Sequence, residues 1–232
     1  MSKEIKIPRA TGAGRESLEN YNCAIFGMKG SRKTTFVEEI LIAKKKRLIV
    51  IDTLCKDYGN DNFCKATGTY YDGTYVDYNA FIRKLNDLEQ SKKQFRLIVR
   101  LPRAKIPDVL RLFVFNEEKQ RSILTNTTLL IEEIAFFMSS NYIEPAILDH
   151  LQYGRHNQNN LIGVARVPTE VNPKFRSELD FVVSMSQQED RAIKFFAEYD
   201  AGKAESLRTI EKGEPVLICG TEEDFLNFIN QK

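Results

Sequence analysis

Cysteine is scarce in this chain, and its placement excludes the common cysteine-based sites. The 232 residues include four cysteines, and none of them forms a Cys-x-x-Cys pair. The spacing therefore gives no zinc signature. Cys23 and Cys219 each lie in an apolar run, so we expect both to be buried core thiols. This cysteine usage suits a reducing compartment such as a cytoplasm.

The sequence also lacks long hydrophobic runs. No apolar stretch approaches the roughly 18 residues of a membrane-spanning helix. Residues 1–20 are polar and contain Pro8, Gly12 and Gly14, without the apolar region of a signal peptide. We therefore expect a soluble protein with no transmembrane segment of its own. Residues 1–20 are predicted to form a flexible strap, and residues 21–232 a single domain.

A large excess of positive charge is missing as well. Lys and Arg total 34 against 32 Asp and Glu, so the formal net charge is +2. A protein that coats nucleic acid passively is usually far more basic. Any contact with DNA must therefore be local, on loops or along a channel.

What the chain does have is an alternation of short apolar runs with amphipathic stretches. Runs rich in Ile, Val and Leu with little polar alternation are typical of strands covered on both faces. The predicted strands are Cys23–Phe26, Leu48–Ile51, Phe95–Leu101, Thr128–Ile131, Leu161–Ala165, Phe181–Met185 and Val216–Cys219. The predicted helices are Thr34–Ala43, Ala80–Glu89, Ile106–Lys119, Ile143–Tyr153, Glu189–Tyr199 and Thr221–Asn230. This order predicts a doubly wound α/β domain with a mainly parallel sheet.

The C-terminal portion departs from this alternation. Ser206–Ile210 and Pro215–Cys219 flank the segment Glu211–Glu214, which contains Gly213. This pattern predicts an antiparallel hairpin at the edge of the sheet. Thr221 and Asp224 resemble a capping box at the start of the last helix.

A phosphate-binding loop is predicted between the first strand and the first helix. The segment Gly27–Thr35 follows a buried strand, and its backbone N–H groups and helix N-terminus would point at phosphates. The Lys33 ammonium can reach the β- and γ-phosphates, and the Thr34 hydroxyl can bind Mg²⁺. The predicted nucleotide-binding residues are Gly27, Met28, Lys29, Gly30, Ser31, Arg32, Lys33, Thr34 and Thr35.

This loop departs from the usual pattern at one position. Arg32 stands before the lysine, where a glycine normally permits close backbone approach to the phosphates. We expect the Arg32 side chain either to point away from the loop or to add charge to the site.

Two acids end the strand predicted over Thr128–Ile131. In such a pair the first acid, here Glu132, holds Mg²⁺ together with Thr34. The second, Glu133, polarises the attacking water or takes its proton. Paired glutamates favour the additional-strand, catalytic-glutamate type of P-loop NTPase, in which a further strand lies between the P-loop strand and the acidic strand.

The segments further along carry a family resemblance. Residues 143–157 read IEPAILDHLQYGRHN, residues 161–168 read LIGVARVP, and residues 181–187 read FVVSMSQ, with Asp190-Arg191 beyond. This order resembles the FtsK/HerA superfamily of DNA-pumping ATPases. It is more closely similar to the genome-packaging ATPases of membrane-containing icosahedral viruses. The resemblance covers residues 22 to about 200 and rests on motif order, with no long identical run.

The resemblance implies a ring, commonly a hexamer, with an ATP site between neighbouring subunits and an arginine supplied in trans. Arg155 occupies the family's Gly-Arg position and is the predicted trans residue, with Arg166 and Arg191 as alternatives. The family's sensor strand ends in a polar residue and glutamine, whereas this chain has Ala165 and Arg166. The γ-phosphate sensor is therefore either Arg166 or absent.

The resemblance also implies DNA contact through pore loops. Arg100, Arg103 and Lys105 follow the third predicted strand and are the candidates for this contact. Binding through phosphates would depend on salt and not on sequence.

Together these features predict an ATP- and Mg²⁺-dependent double-stranded DNA translocase, a viral genome-packaging motor subunit. Its implied partners are double-stranded DNA, further copies of the chain, and capsid-vertex or viral membrane proteins. Its implied locations are the host cytoplasm and the packaging vertex of the virion.

Two alternatives stay open. One is a zonula occludens toxin-like ATPase for phage export, although members often carry a membrane anchor. The other is a non-hydrolysing nucleotide-binding switch module, which Arg32 and Arg166 favour. The paired Glu132 and Glu133 argue against a small-molecule kinase.

Overall fold

The computed structural model describes residues 20–54, 58, 70–90, 94–114, 124–153 and 158–231. Three sequence-based predictions fall wholly or partly outside these ranges: the strap over residues 1–20, the end of the helix predicted over Ile106–Lys119, and Arg155.

Eight strands form one sheet in the described part of the chain, in the order β3-β4-β2-β5-β6-β1-β7-β8. They are β1 (Asn22–Phe26), β2 (Arg47–Ile51), β3 (Gly73–Tyr75), β4 (Phe95–Val99), β5 (Thr128–Ile131), β6 (Asn160–Ala165), β7 (Phe181–Ser184) and β8 (Val216–Cys219). All neighbouring strands are parallel except β7 and β8. The predicted mainly parallel α/β sheet is confirmed.

The strand that leads into the phosphate loop lies inside the sheet. β1 pairs with β6 on one side and β7 on the other, both of which come much later in the chain. At its start, the Tyr21 N–H donates to Asn160 Oδ1 at 2.8 Å across 139 residues of sequence. β6 also separates β1 from β5, the strand that ends at the two acids. This is the inserted strand that the paired glutamates predicted.

Side chains of β1 alternate between two hydrophobic cores, one on each face of the sheet. Ala24 and Phe26 belong to one core, and Cys23 and Ile25 to the other. All four are buried, which explains why this strand reads as a continuous apolar run. The expected burial of Cys23 is confirmed, whereas Cys219 at the sheet edge is only half-buried.

Helices cover both faces. On one face, α1 (Lys33–Phe36) continues directly into a π-helical turn (Val37–Leu41) and packs together with α8 (Glu222–Asn230). On the other face lie α2 (Tyr78–Gln90), α3 (Ile106–Leu110), α4 (Pro145–Tyr153), α5 (Pro173–Ser177), α6 (Asp190–Ala197) and α7 (Ala201–Ser206). None of the helices in the described ranges is long and apolar enough to span a membrane.

The C-terminal edge is antiparallel as predicted, but the partner strand differs. Residues Ser206–Ile210 form the end of α7 and a turn, not a strand. The Asp200 side chain accepts from the Lys203 N–H at 2.9 Å, and this N-cap starts a helix upstream of them. β8 therefore pairs with β7 instead of a hairpin neighbour.

Other local differences are smaller. Thr221 Oγ1 accepts from the Asp224 N–H at 3.1 Å, so the N-cap half of the predicted capping box is present, while the Asp224 carboxylate accepts from the Thr221 hydroxyl at 2.6 Å. α5 and α7 are short helices that the sequence pattern did not indicate. β3 has three residues, too few for a periodicity to be visible.

Candidate nucleotide and metal site

The loop between β1 and α1 is anchored to the ends of two neighbouring strands. The Gly27 N–H donates to the Arg166 carbonyl oxygen at 3.1 Å, and the Met28 N–H to that of Ser186 at 3.4 Å. A Cβ on Gly27 would lie 2.7 Å from Ser31 Oγ and 2.8 Å from Met185 Cβ, so only glycine fits where the loop leaves the strand. The loop lies at the carboxyl edge of the parallel strands, where such sheets bind ligands.

Lys33 is the first residue of α1, and its side chain folds back onto the loop. Its Nζ donates to the Met28 carbonyl oxygen at 3.1 Å and to that of Gly27. An entering phosphate would exchange these carbonyl contacts for stronger charge-assisted ones. The nearby Ser31 side chain is 3% exposed, and its hydroxyl has no hydrogen-bond partner among the described residues. A buried hydroxyl in this state favours a bound polar ligand.

Arg32 has a backbone conformation that glycine adopts readily and other residues rarely do. Its φ of 66° and ψ of 29° are left-handed. This conformation costs a residue other than glycine about 1–2 kcal/mol. The side chain is exposed and runs toward Gly213, where a Cβ would lie 2.9 Å from Arg32 Cδ. The loop is therefore left-handed at Arg32, and the arginine side chain is directed outward.

Thr34 and Glu132 meet from opposite sides of the site. The Thr34 hydroxyl donates to Glu132 Oε1 at 3.3 Å, although Glu132 ends β5, two strands away from β1. Glu132 is fully buried. A hydroxyl and a carboxylate are oxygen ligands of the kind that Mg²⁺ prefers, and Mg²⁺ usually adds phosphate oxygens and water. Thr34 and Glu132 therefore fit a magnesium site.

No group of three or more His, Cys, Asp or Glu within the described ranges could hold a metal by itself.

Glu133 occupies a strained turn at the end of the same strand. Its φ of 53° and ψ of 59° are left-handed, and a 3₁₀ turn, Ile134–Phe136, follows at once. Positive φ is uncommon for glutamate, and such residues concentrate at functional sites. The turn carries the Glu133 side chain out of the core, half-buried, toward a neighbouring groove.

This groove, of about 860 Å³, brings together charged residues that were selected from the sequence. Glu133, Arg166 and Arg191 all line it. Arg166 contributes to both regions. It lines the groove, and its carbonyl oxygen accepts a hydrogen bond from the Gly27 N–H. The geometry thus places Arg166 beside both the phosphate loop and the second acid.

A residue without an assigned role also lies at the base of the loop. The buried Gln187 side chain donates through Nε2 to the Arg166 carbonyl oxygen at 2.9 Å. A glutamine amide therefore does stand next to the loop, but it comes from the end of β7 instead of β6. Since the two residues are 21 positions apart, sequence order alone gave no signal for this contact.

The three basic residues after β4 have different environments. Arg100 donates through Nε to Asp52 Oδ2 at 2.8 Å, and Asp52 is fully buried at the end of β2. The guanidinium of Arg103 lies 3.4 Å from the centre of the Phe136 ring. The Lys105 side chain is 60% exposed. Arg100 therefore belongs to an internal ion pair, whereas Lys105 is accessible to a partner.

Comparison with known proteins identifies structural relatives only. No protein-family model matches the sequence, and neither does any curated protein.

The genome-packaging NTPase B204 of Sulfolobus turreted icosahedral virus 2 is similar in structure. Its complex with AMP gives a TM-score of 0.62 at 17% identity, covering 86% of this chain and 92% of B204. The complex with ATP-γ-S gives 0.60 at 16% identity, covering 84% and 89%. VirB4 of Thermoanaerobacter pseudethanolicus gives 0.51 at 11% identity, covering 88% and 90%. The resemblance inferred from motif order is thereby confirmed for the fold, which is the α/β fold of P-loop NTPases.

Proposed function

We propose that this chain is an ATP-hydrolysing double-stranded DNA translocase, the motor subunit of a viral genome-packaging machine. The observation that carries the proposal is the 3.3 Å contact between Thr34 and Glu132, beside a buried Lys33 that lies on the loop carbonyls. A phosphate loop and an acidic strand meet there as a magnesium-nucleotide site requires. The structural similarity to a genome-packaging NTPase supports the choice of substrate.

Each residue of the site has a separable role in this proposal. Lys33 and the N–H groups of the loop hold the phosphates, and Thr34 and Glu132 hold Mg²⁺. The bound Mg²⁺ supplies charge neutralisation at the β- and γ-phosphates. Glu133 orients the attacking water and takes its proton. Arg166 supplies charge near the γ-phosphate, because it adjoins both the loop and the groove at Glu133.

The motor acts as a ring, commonly a hexamer in the family that this chain resembles. In the ring, an arginine of a neighbouring subunit completes the site, with Arg155 as the first candidate and Arg191 as the alternative. Arg103 and Lys105 are the proposed DNA contacts, and the ion pair with Asp52 removes Arg100 from this role. Capsid-vertex or viral membrane proteins are the proposed docking partners, in the host cytoplasm and at the virion vertex.

A non-hydrolysing switch module is the second candidate, because Arg32 and Arg166 stand where the family has glycine and glutamine. The left-handed backbone of Arg32 weakens that argument. The arginine takes a conformation that suits glycine, and its outward side chain leaves the backbone free to approach the phosphates. We therefore favour hydrolysis.

The test is ATP turnover with and without double-stranded DNA. We expect DNA to stimulate the natural chain and Glu133→Gln to lose about 100-fold or more, the usual contribution of a general base. Glu198→Gln makes the same chemical change at an exposed position after α6 and should match the natural chain.

The outcomes separate the candidates. If the natural chain binds Mg·ATP but shows no turnover under either condition, the motor is refuted and the switch module stands. Turnover that survives Glu133→Gln refutes only the assignment of the base.

A further inference from the structure

The turn Glu211–Glu214 reaches the phosphate loop from the C-terminal edge of the sheet. Because β8 runs antiparallel to the other strands, it starts at the edge where the phosphate loop lies. The turn directly precedes β8 and is closed by a hydrogen bond from the Glu214 N–H to the Glu211 carbonyl oxygen at 3.1 Å. Gly213 in this turn has a left-handed φ of 97°, which favours glycine.

Two glycines allow the turn and the loop to fit against each other. A Cβ on Gly30 would lie 3.6 Å from Lys212 Nζ, so the ammonium lies beside the middle of the phosphate loop. A Cβ on Gly213 would lie 2.9 Å from Arg32 Cδ, so the stem of Arg32 packs against the turn. In the first contact a side chain of the turn lies on a glycine of the loop, and in the second a side chain of the loop lies on a glycine of the turn. Together they hold Lys212 beside the loop.

The charges around this contact are unbalanced. Lys29 and Arg32 are exposed cations of the loop, and Lys212 adds a third from the turn. Among the described residues, no carboxylate forms an ion pair with Arg32 or Lys212. The acids at the two ends of the turn, Glu211 and Glu214, are exposed and make no such pair within those ranges either. Cations held this close repel one another unless an anion lies among them.

We infer that Lys212 is a further phosphate-binding residue of the nucleotide site, supplied in cis by the Glu211–Glu214 turn. The inference rests on the proposed function, because the anion it requires is the phosphate chain of the nucleotide. The buried Ser31 hydroxyl has no hydrogen-bond partner among the described residues, which independently favours a polar ligand at the same loop. Lys212 would bind the phosphates as a point charge beside the loop. Glu133 and Mg²⁺ would serve the hydrolysis step.

Binding of ATP-γ-S, ADP and AMP with Mg²⁺ tests the inference by calorimetry. Lys212→Ala should weaken ATP-γ-S binding by about two- to fivefold, the size of an accessible charge contact. The loss should be smaller for ADP and smallest for AMP, and it should shrink as salt is raised. Lys212→Arg should restore most of the affinity. In turnover, KM should rise while kcat changes little.

Lys46→Ala is the matched control. Lys46 is exposed and precedes β2, at the edge of the sheet opposite the phosphate loop, so its removal changes the net charge equally. Thermal unfolding without nucleotide checks that each variant is folded.

Three results decide the matter. A natural chain that binds none of the three nucleotides refutes the proposed function itself. Natural affinity in Lys212→Ala overturns only the role of Lys212. An equal loss for all three nucleotides that salt does not change also overturns it, because the turn would then act by packing alone.

Discussion

Replacing Arg32 by glycine should make the protein more stable, although the substitution removes side-chain contacts. The left-handed backbone at φ 66° costs an arginine about 1–2 kcal/mol relative to glycine. Glycine in turn gives the unfolded chain more freedom, which offsets about 0.4–1 kcal/mol. The Arg32 side chain is exposed, so its loss contributes little. We expect a net gain of about 0.5–1 kcal/mol, or about 2 °C in Tm for a chain of this size.

Arg32→Ala isolates the cause of this gain. It removes the same side chain and charge but keeps a Cβ, so it retains the left-handed strain. Urea and thermal unfolding without nucleotide should rank Arg32→Gly above the natural chain and Arg32→Ala at or below it. Nucleotide must be absent because binding to the folded state would add stability of its own. If the glycine and alanine variants prove equally stable, the backbone at this position is not left-handed and our account of the loop is wrong.

Three further predictions concern groups outside the phosphate loop. Arg100→Leu should destabilise the fold by about 2–4 kcal/mol, because it removes the guanidinium from the fully buried Asp52. Lys105→Ala should change the free energy of unfolding by less than about 0.5 kcal/mol but lower DNA-stimulated turnover; the reverse pattern would contradict our assignment of the DNA contacts. Burial lowers the pKa of His150 to about 4. Below pH 6.5 this imidazole therefore binds a proton in the unfolded chain but stays neutral in the folded chain until the pH approaches 4. Its contribution to stability is complete above pH 6.5 and is lost as the pH falls toward 4, about 2 kcal/mol by pH 5. His150→Leu should therefore unfold in urea with a flatter pH dependence between 6.5 and 5, and an unchanged slope would show that His150 is not buried as the structure has it.

The main parts of the fold and site could be predicted because they depend on local patterns. Seven of the eight strands are apolar runs, since a parallel sheet covered on both faces leaves little polar alternation. The spacing from Gly27 to Lys33 and Thr34 marks the loop without knowledge of its neighbours. Glu132 and Glu133 directly follow such a run, so their place at the edge of the sheet follows from the strand itself.

The remaining parts depend on contacts between distant segments. Gln187 reaches the phosphate loop only because β7 lies beside β1, and Lys212 only because β8 runs antiparallel. The left-handed backbone of Arg32 and Glu133 is imposed by the surrounding structure against the preference of the residues themselves. The strand predicted over Ser206–Ile210 was wrong because the helix cap at Asp200 outweighed the local preference of these residues.

The pairing of β1 with β6 and β7 has a consequence for the synthesis of the protein. The phosphate loop follows the first strand, yet the two strands that hold this loop in place end at Ala165 and Ser184. At a synthesis rate of about 5–20 residues per second, β1 must wait on the order of 10–30 seconds for its neighbours to leave the ribosome. During that interval its apolar residues have no sheet to join, and nucleotide has no formed loop to bind. The loop can therefore be held in place only after these later strands have formed, so its folding depends on long-range pairing.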